Sequence, residues 1–207
     1  MSKDIERKIA VIFVTDVVGF SKSMEKNEDE TLRSFRSCRD ILDNLFKEHG
    51  GRIFNTAGDS VLAEFQSAVS AVICAKEFQN LIRERNANVS EEAKMHFRIG
   101  LNMGDVIVEG ENLYGEGVNV AARLEALSQP DGVCLSKSIL DFVNKKTELN
   151  FHDLGEQKVK NTTVHAFDLS NPELEQRTLN QQTQSEEEIS KAPTIAVLPF
   201  NNLSNDP

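Results

Sequence analysis

Short strand-like runs alternate with helical patterns over the first 170 residues, and this order constrains the fold more than any other feature of the chain. Residues 9–15 form an apolar run typical of a buried strand, and apolar residues recur at helical spacing over residues 32–46. Two short strands then flank a Gly58-Asp59 turn, followed by a second helical pattern over residues 69–82 and a strand over residues 97–108. The order β, α, β, β, α, β predicts a ferredoxin-like α+β sandwich.

The segment after this core adds further elements. Gly104-Asp105 predicts a bend late in the last core strand, and a helix over residues 118–127 is opened by Gly115 and Gly117. The sequences VCLS, NFHDLG and HAFDL are typical of short strands, with a short helix after the first of them. We therefore expect extra C-terminal strands at the edge of the sheet.

The last part of the chain differs in composition from the rest. Residues 171–193 have few large apolar side chains, which is typical of a linker, and the strand-like run TIAVLPF follows them. A single strand cannot form a domain. We therefore expect a first domain over residues 1–170 and the truncated start of a second domain over residues 194–207. The alternative is a tail strand that pairs back onto the first domain.

Acidic residues outnumber basic residues by 33 to 23, which gives a formal net charge of −10. This charge argues against nucleic acid or an anionic membrane as the main partner, so phosphate groups would have to be bound by placed residues or metal ions. The N-terminal apolar run IAVIFV is too short for a signal peptide or a membrane span. The three cysteines lack the paired spacing of a metal or redox motif. These features predict a reduced, cytoplasmic chain.

Two aspartates at strand ends are candidates for a metal site. Asp16 ends the first strand and precedes a glycine-containing turn, Val17-Val18-Gly19-Phe20-Ser21, whose backbone N–H groups can face a polyphosphate. In the predicted strand order, the hairpin with Asp59 lies beside the first strand, so the two carboxylates come close together. Such a pair, with no basic residue between them in the local sequence, describes a divalent-cation site. The alternatives are a helix N-cap for Asp16 and an ordinary turn residue for Asp59.

An amide and a guanidinium share one face of the predicted helix over residues 118–127. Asn119 and Arg123 are four positions apart, so their side chains point in the same direction. An exposed arginine on a helix usually serves solubility. Here the helix entrance is rich in glycine and no acid stands at the matching spacing, which favours an anion-binding role.

Four segments together resemble the catalytic domain of class III adenylate and guanylate cyclases. They are FVTDVVGFS, NTAGDSVLAEF, FRIGLNMGDVIVEG and LYGEGVNVAARLE, in this order, and the resemblance covers residues 8–168. It implies a ferredoxin-like core and a head-to-tail homodimer whose active sites lie between the subunits.

The resemblance also implies roles for individual residues. Metal ions would be held by Asp16, Asp59 and the backbone carbonyl of Val17, and the phosphates by the turn of Val18, Gly19, Phe20 and Ser21. Asn119 and Arg123 would be the transition-state pair, contributed by the other subunit. Lys160 aligns with the lysine that meets the terminal phosphates, with Lys158 as the less favoured alternative.

The base-reading positions depart from the family pattern. Asn55 and Asn112 stand where the best-studied adenylate cyclases have a lysine and an aspartate. An amide both donates and accepts hydrogen bonds, so it can meet adenine or guanine. Because bacterial relatives with altered base-reading residues form a known group, ATP is favoured over GTP. In a third interpretation, both asparagines cap local turns and the base is loosely held.

The resulting prediction is a bacterial nucleotidyl cyclase that works in intracellular signalling. It would convert ATP to 3′,5′-cyclic AMP and pyrophosphate as a homodimer with two Mg²⁺ or Mn²⁺ ions in each site. The alternatives are guanylate cyclase activity and a catalytically silent nucleotide-binding module that regulates a partner. A diguanylate cyclase is disfavoured, because AGDSVLAEF has one acid where that family has a Gly-Gly-acid-acid-Phe turn. The phrase IAVLPFNNLS resembles the start of domains that follow cyclase modules in bacterial multidomain proteins, which supports a bacterial source.

Overall fold

A computed structural model describes residues 6–159 and 162–177 of the chain. The strands within these residues are β1 (Glu6–Val17), β2 (Arg52–Ala57), β3 (Ser60–Phe65), β4 (Phe97–Glu109), β5 (Asn112–Tyr114), β6 (Val133–Ser136), β7 (Phe151–Val159) and β8 (Thr162–Leu169). The helices are α1 (Phe20–Lys26), α2 (Glu28–His49), α3 (Ala68–Ala87), α4 (Glu116–Leu127) and α5 (Lys137–Val143), with a short 3₁₀ turn at Glu91–Ala93.

The strands form one mixed sheet in the order β2-β3-β1-β4-β6-β8-β7, with β5 paired to β4. The first four strands of this order are antiparallel and are joined by α2 and α3, which confirms the predicted ferredoxin-like core. Strand β6 runs parallel to β4, and β8 and β7 complete the sheet as an antiparallel hairpin. The extra C-terminal strands therefore lie at one edge, as expected.

Both faces of the sheet are covered, and the alternation of side chains in β1 assigns residues to each face. Val11 and Phe13 pack beneath α2 and α3, whereas Ile12 and Val14 face α4 on the other side. The ring of Phe13 is fully buried and lies 5.1 Å, centroid to centroid, from that of Phe46. Burial of one such side chain contributes about 1.5–3 kcal/mol. The larger cluster of buried apolar residues lies on the α2 face. Asp16 has the parity of Ile12 and Val14 and therefore lies on the α4 face.

The turn after β1 leads into two helices rather than the one that the sequence suggests. A separate helix, α1, precedes α2, and the break falls at Asn27, whose backbone is extended. The Asn27 side chain accepts a hydrogen bond from the Glu30 N–H and so caps α2. Helix α2 ends at His49, and the residue after it, Gly50, adopts a left-handed φ of 75°.

The predicted bend at Gly104-Asp105 is wrong. The pairing of β4 with β1 runs without a shift through both residues, opposite Ala10 and Ile9. A Cβ built on Gly104 would lie 3.3 Å from the Cα of Gly117 in the first turns of α4. A Cβ at Gly104 would therefore be in tight but not prohibitive contact with the helix.

The structure also describes the environment of the cysteines and the hydropathy of the helices. Cys38, Cys74 and Cys134 are buried free thiols. None of the helices in the described residues is long and apolar enough to cross a membrane.

The predicted linker over residues 171–193 and second domain over residues 194–207 fall mainly outside the described residues. Residues 171–177, called the post-β8 segment below, lie against the domain, where Glu173 pairs with Arg83 and Arg177 with Asp168. The limits of the domains stay a prediction.

Candidate active site

The fold brings Asp16 and Asp59 together at one end of the sheet. Asp16 is the penultimate residue of β1, and Asp59 lies in the turn between β2 and β3, the strand that pairs with β1. The backbone N–H of Val17 donates a hydrogen bond of 3.1 Å to Asp59 Oδ2. Ser60, the residue after Asp59, donates from its hydroxyl to Asp16 Oδ1 over 2.7 Å. The two carboxylates are 43 positions apart in the sequence, but each one accepts a hydrogen bond from the residue that follows the other.

The electrostatics of this pair favour a bound cation. Partial burial, followed by the nearby charge of Asp16, raises the pKa of Asp59 above its ordinary value, against the opposing effect of backbone hydrogen bonds. A cation between the carboxylates would relieve this repulsion. Across the described part of the chain, no group of three or more His, Cys, Asp and Glu side chains could hold a metal ion. One or two carboxylates completed by substrate phosphates form the usual Mg²⁺ site, so the donor set fits such an ion.

Arg98 stands beside the carboxylates, and the sequence reasoning missed it. Its Nη2 atom lies 3.3 Å from Asp16 Oδ2, on the strand directly opposite in the sheet. A signal was present, because Arg98 interrupts the apolar run of β4 between two buried residues and has the parity of the α4 face. No basic residue lies beside the aspartates in the local sequence, but the folded structure brings Arg98 of β4 to Asp16.

Glu125 on α4 lies behind Arg98. Arg98 Nε and Glu125 Oε1 are 2.8 Å apart, but the approach is not along the N–H bond, so neither atom completes a hydrogen bond. The Glu125 side chain is 10% exposed. Burial raises its pKa to about 7, against the charge of Arg98, and the charges of Asp16 and Asp59 add to the rise. An ionic chain therefore runs from α4 through Arg98 to Asp16.

Glu125 makes the stability of the protein depend on pH. Its pKa in the folded state, about 7, exceeds the ordinary value of 4.5, so the folded state binds the proton more tightly than the unfolded chain. The resulting stabilisation is fully present below about pH 4.5 and is lost as the pH rises through about 7. We expect wild type to lose on the order of 1–3 kcal/mol relative to Glu125→Gln between about pH 5 and pH 8. Urea unfolding of both proteins at the two pH values measures this difference, and a constant difference would contradict the assignment.

Asn119 and Arg123 lie on α4 as expected, but Arg123 is not free of acids. Its Nη1 atom lies 3.1 Å from Glu116 Oε1, which also accepts a hydrogen bond of 2.7 Å from the Thr162 hydroxyl. The expectation from the sequence concerned acids three or four positions from Arg123, so it did not include this contact with Glu116. Glu116 is seven residues before Arg123, which places it on the same helix face two turns away. Asn119 is exposed.

The two candidate base-reading asparagines lie on neighbouring segments. Asn55 is exposed on β2, and its side-chain oxygen accepts a hydrogen bond of 2.8 Å from the N–H of Thr56, a local capping contact of the kind considered as an alternative. Asn112 begins β5 and is half-buried. Arg52 of β2 donates to the carbonyl of Glu111, the residue before Asn112, over 2.9 Å.

The aspartates and Asn112 lie at opposite ends of β4. Arg98, near the start of the strand, is paired with Asp16, whereas Asn112 is paired with Glu109 at its other end. At about 3.3 Å for each residue, the length of strand between Arg98 and Glu109 is roughly 35 Å. Within one chain, therefore, Asn112 does not reach the aspartate pair.

The proposed phosphate turn contains one donor fewer than the sequence suggests. The N–H of Val18 donates to the carbonyl of His96 over 2.8 Å and is thereby occupied. Gly19 has a left-handed φ of 71°, and Phe20 and Ser21 open α1, where the N–H groups lack partners within the helix. Lys160 lies outside the described residues, and Lys158 is exposed on β7.

The sheet order and the strand-end aspartates define the class of protein. A ferredoxin-like antiparallel core with a further helix on its second face is the architecture of the class III nucleotidyl cyclase domain. Comparison with known proteins gives the family. The sequence model of the adenylate and guanylate cyclase catalytic domain matches residues 2–171, and the chain belongs to this family.

Similar proteins agree with this assignment. A Rhizobium meliloti (strain 1021) protein provisionally named adenylate cyclase 3 is 39% identical over 211 residues, which cover 100% of this chain and 36% of that protein. The chain thus spans about a third of the length of this relative. The crystal structure of an adenylate/guanylate cyclase/hydrolase from Silicibacter pomeroyi matches with a TM-score of 0.75 and 35% identity, covering 81% of this chain and 99% of that one. The adenylyl cyclase CyaB from P. aeruginosa shares the fold, with a TM-score of 0.71 and 20% identity over 86% of this chain and 100% of that one.

Proposed function

We propose that the domain converts ATP to 3′,5′-cyclic AMP and pyrophosphate. The observation that supports this most is the Asp16–Asp59 pair, in which burial and then the nearby charge of Asp16 raise the pKa of Asp59, beside the guanidinium of Arg98. A site with two carboxylates, which can hold metal ions, and one guanidinium suits a metal-bound triphosphate. The phosphates would then contact positive charge from the metal ions and from Arg98. It also reconciles phosphate binding with a chain of net charge −10.

In the proposed reaction, the ribose 3′-oxygen attacks the α-phosphorus in line. A new P–O bond forms, the bond from the α-phosphorus to the bridging oxygen breaks, the 3′-hydroxyl passes its proton to solvent, and pyrophosphate leaves. Two Mg²⁺ or Mn²⁺ ions, when bound, would lower the pKa of the attacking hydroxyl and neutralise the leaving phosphates. Asp16, Asp59 and the carbonyl of Val17 would hold them.

The remaining residues orient and stabilise the substrate. Arg98 exchanges its contact with Asp16 for the phosphates, and the N–H groups of Gly19, Phe20 and Ser21 bind phosphate oxygens at the start of α1. Arg123 stabilises the charge that grows on the α-phosphate, and Asn119 orients the ribose. Lys160 contacts the terminal phosphates.

A homodimer completes the site in this proposal. The length of β4 keeps Asn112 roughly 35 Å from the aspartate end of the strand, so one chain does not gather all of the proposed residues. A second, head-to-tail copy would place its α4 and β5 against the aspartates of the first. The two copies then form two equivalent sites.

Guanylate cyclase activity is the second candidate. Asn55 and Asn112 are neutral amides that can present either a donor or an acceptor to the base. The name of the Rhizobium meliloti relative, which is 39% identical, favours ATP. A linker over residues 171–193 and a further domain from residue 194 remain part of the proposal for the longer protein.

Incubation of the purified chain with ATP or GTP, plus Mn²⁺ or Mg²⁺, tests the activity directly. We expect mass spectrometry to identify cyclic AMP as the main product, no product after chelation of the metal, and less cyclic GMP from GTP. Formation of cyclic GMP alone would reverse the base assignment. No cyclic nucleotide from either substrate, at a protein concentration where dimers are present, would leave the silent nucleotide-binding module as the function.

A further inference from the structure

The post-β8 segment, residues 171–177, contacts the domain at points that its linker-like composition does not suggest. Arg83 of α3 pairs with Glu173 over 3.0 Å, and both side chains are substantially exposed. Arg177 makes a different kind of contact, because its side chain is only 21% exposed and reaches a buried carboxylate. Its carbonyl also accepts a hydrogen bond of 2.9 Å from His152 Nε2 on β7.

The guanidinium of Arg177 joins two elements of the fold. Nε and Nη2 donate to the two oxygens of Asp168 over 2.8 and 2.9 Å, and Asp168, on β8, is 6% exposed. Nη1 donates to the carbonyl of Leu127 over 2.7 Å. Leu127 is the last residue of α4, where helix carbonyls lack partners and a cation is favoured. Arg177 therefore attaches the end of α4 to the sheet.

This attachment lies close to the proposed catalytic groups. Helix α4 contains Asn119 and Arg123, and its Glu125, two residues before Leu127, contacts Arg98. Arg98 in turn contacts Asp16. The last turn of α4 is thus held from one side by Arg177 and from the other by the ionic chain to Asp16.

We propose that Arg177 is a positioning residue for the cyclase reaction, which sets the place of α4 through Leu127 and Asp168. The proposal rests on the proposed function. The post-β8 segment, which is the first part of the predicted linker, then belongs to the catalytic unit, and loss of the Arg177 contacts changes the rate of the reaction. Misplacement of catalytic groups by about 1 Å costs up to roughly 10²-fold in rate, so a moderate shift of α4 has a large effect.

Substitutions of Arg177 in the full 207-residue chain test this role. We expect Arg177→Gln to lower kcat roughly tenfold or more with KM changed less than about twofold, because α4 moves while substrate contacts persist. Arg177→Lys keeps the charge but cannot donate from a planar fork to Asp168 and Leu127 together, so we expect an intermediate kcat. Arg83→Gln is the matched control. It releases the same segment from α3 without touching α4, and kcat stays within about twofold of wild type.

Hydrogen exchange provides a readout that does not depend on activity. We expect the amides in the last turn of α4, residues 124–128, to exchange roughly tenfold faster in Arg177→Gln and at the wild-type rate in Arg83→Gln. A combined Arg177→Gln and Asp168→Asn protein should be no slower in catalysis than either single variant, because both remove the same attachment.

The outcomes separate the two proposals. Wild-type exchange and wild-type kcat in Arg177→Gln would overturn the positioning role, as would equal losses in the Arg83→Gln control. If the wild-type chain makes no cyclic nucleotide, the proposed function fails. Faster exchange in α4 would then still show that Arg177 holds the helix, but its role in the reaction would fall with the activity.

Discussion

Asp59→Asn should lower cyclase activity by about 10³-fold or more. The substitution removes one of the two carboxylates at the metal position but keeps an oxygen that can accept the hydrogen bond from the Val17 N–H, so the turn is preserved. It also removes the repulsion from Asp16, so we expect no loss of folding stability. Initial rates of cyclic AMP formation, together with urea unfolding, distinguish loss of function from loss of fold. A wild-type kcat in this variant would show that Asp59 does not take part in the reaction.

Mixing this variant with Arg123→Ala tests whether the site is shared between two copies. Each variant alone is expected to be inactive. In a mixed dimer, one site receives both lesions and the other receives none. Random exchange makes about half of the dimers mixed, each with one intact site of two, so activity should return to about a quarter of the wild-type value.

A second pairing provides the matched control. Asp59→Asn and Asp16→Asn affect the same half of the proposed site, so every site in their mixed dimer has a lesion. No activity should return in this mixture. Recovery in neither mixture, with dimers shown to form, would mean that the site is not divided between copies.

The sequence predicted the fold and the aspartate pair because both depend on local patterns. Strand alternation, helical spacing and glycine-containing turns define the four core strands and their helices, and the ferredoxin-like order then brings Asp16 near Asp59. The pairing of β1 with β3 is enough for this step. No side-chain packing had to be known.

The charge pairs of the site could not be predicted in the same way. Arg98 and Asp16 meet across two strands that are far apart in the sequence, and the register that places them opposite each other is set by the whole length of β1. The contact between Arg123 and Glu116 lies within one helix, but at a spacing of two turns that a search for neighbours at three or four positions omits.

The composition of the post-β8 segment also did not indicate that it packs against the domain. Its polar residues are typical of a linker, yet Arg177 is held by Asp168, whose burial is itself a consequence of the sheet order. A single long side chain can dock a polar segment where a buried carboxylate needs a partner. Such a contact leaves no local pattern in the sequence.

Gly100→Ala should be the most destabilising substitution of a small residue in the core. Gly100 lies in β4, opposite Val14 of β1, and α4 crosses directly over it. A Cβ at this position would lie 2.2 Å from both the carbonyl oxygen of Ala121 and the backbone nitrogen of Glu125. Since these are backbone atoms of a helix, no side chain can turn away to make room. We expect a loss of about 3 kcal/mol or more in the free energy of unfolding.

The same substitution separates α4 from the aspartate end of the sheet. If the protein still folds, the helix must move outward, which draws Glu125 away from Arg98 and displaces Asn119 and Arg123. We therefore expect kcat to fall by roughly 10²-fold even in the folded fraction. Gly104→Ala is the control on the same strand and face. Its Cβ would approach atoms only to 3.3 Å, so its effects on the urea midpoint and on kcat should be much smaller. Equal effects of the two substitutions would contradict the close crossing of α4 over Gly100, on which the proposed geometry of the site depends.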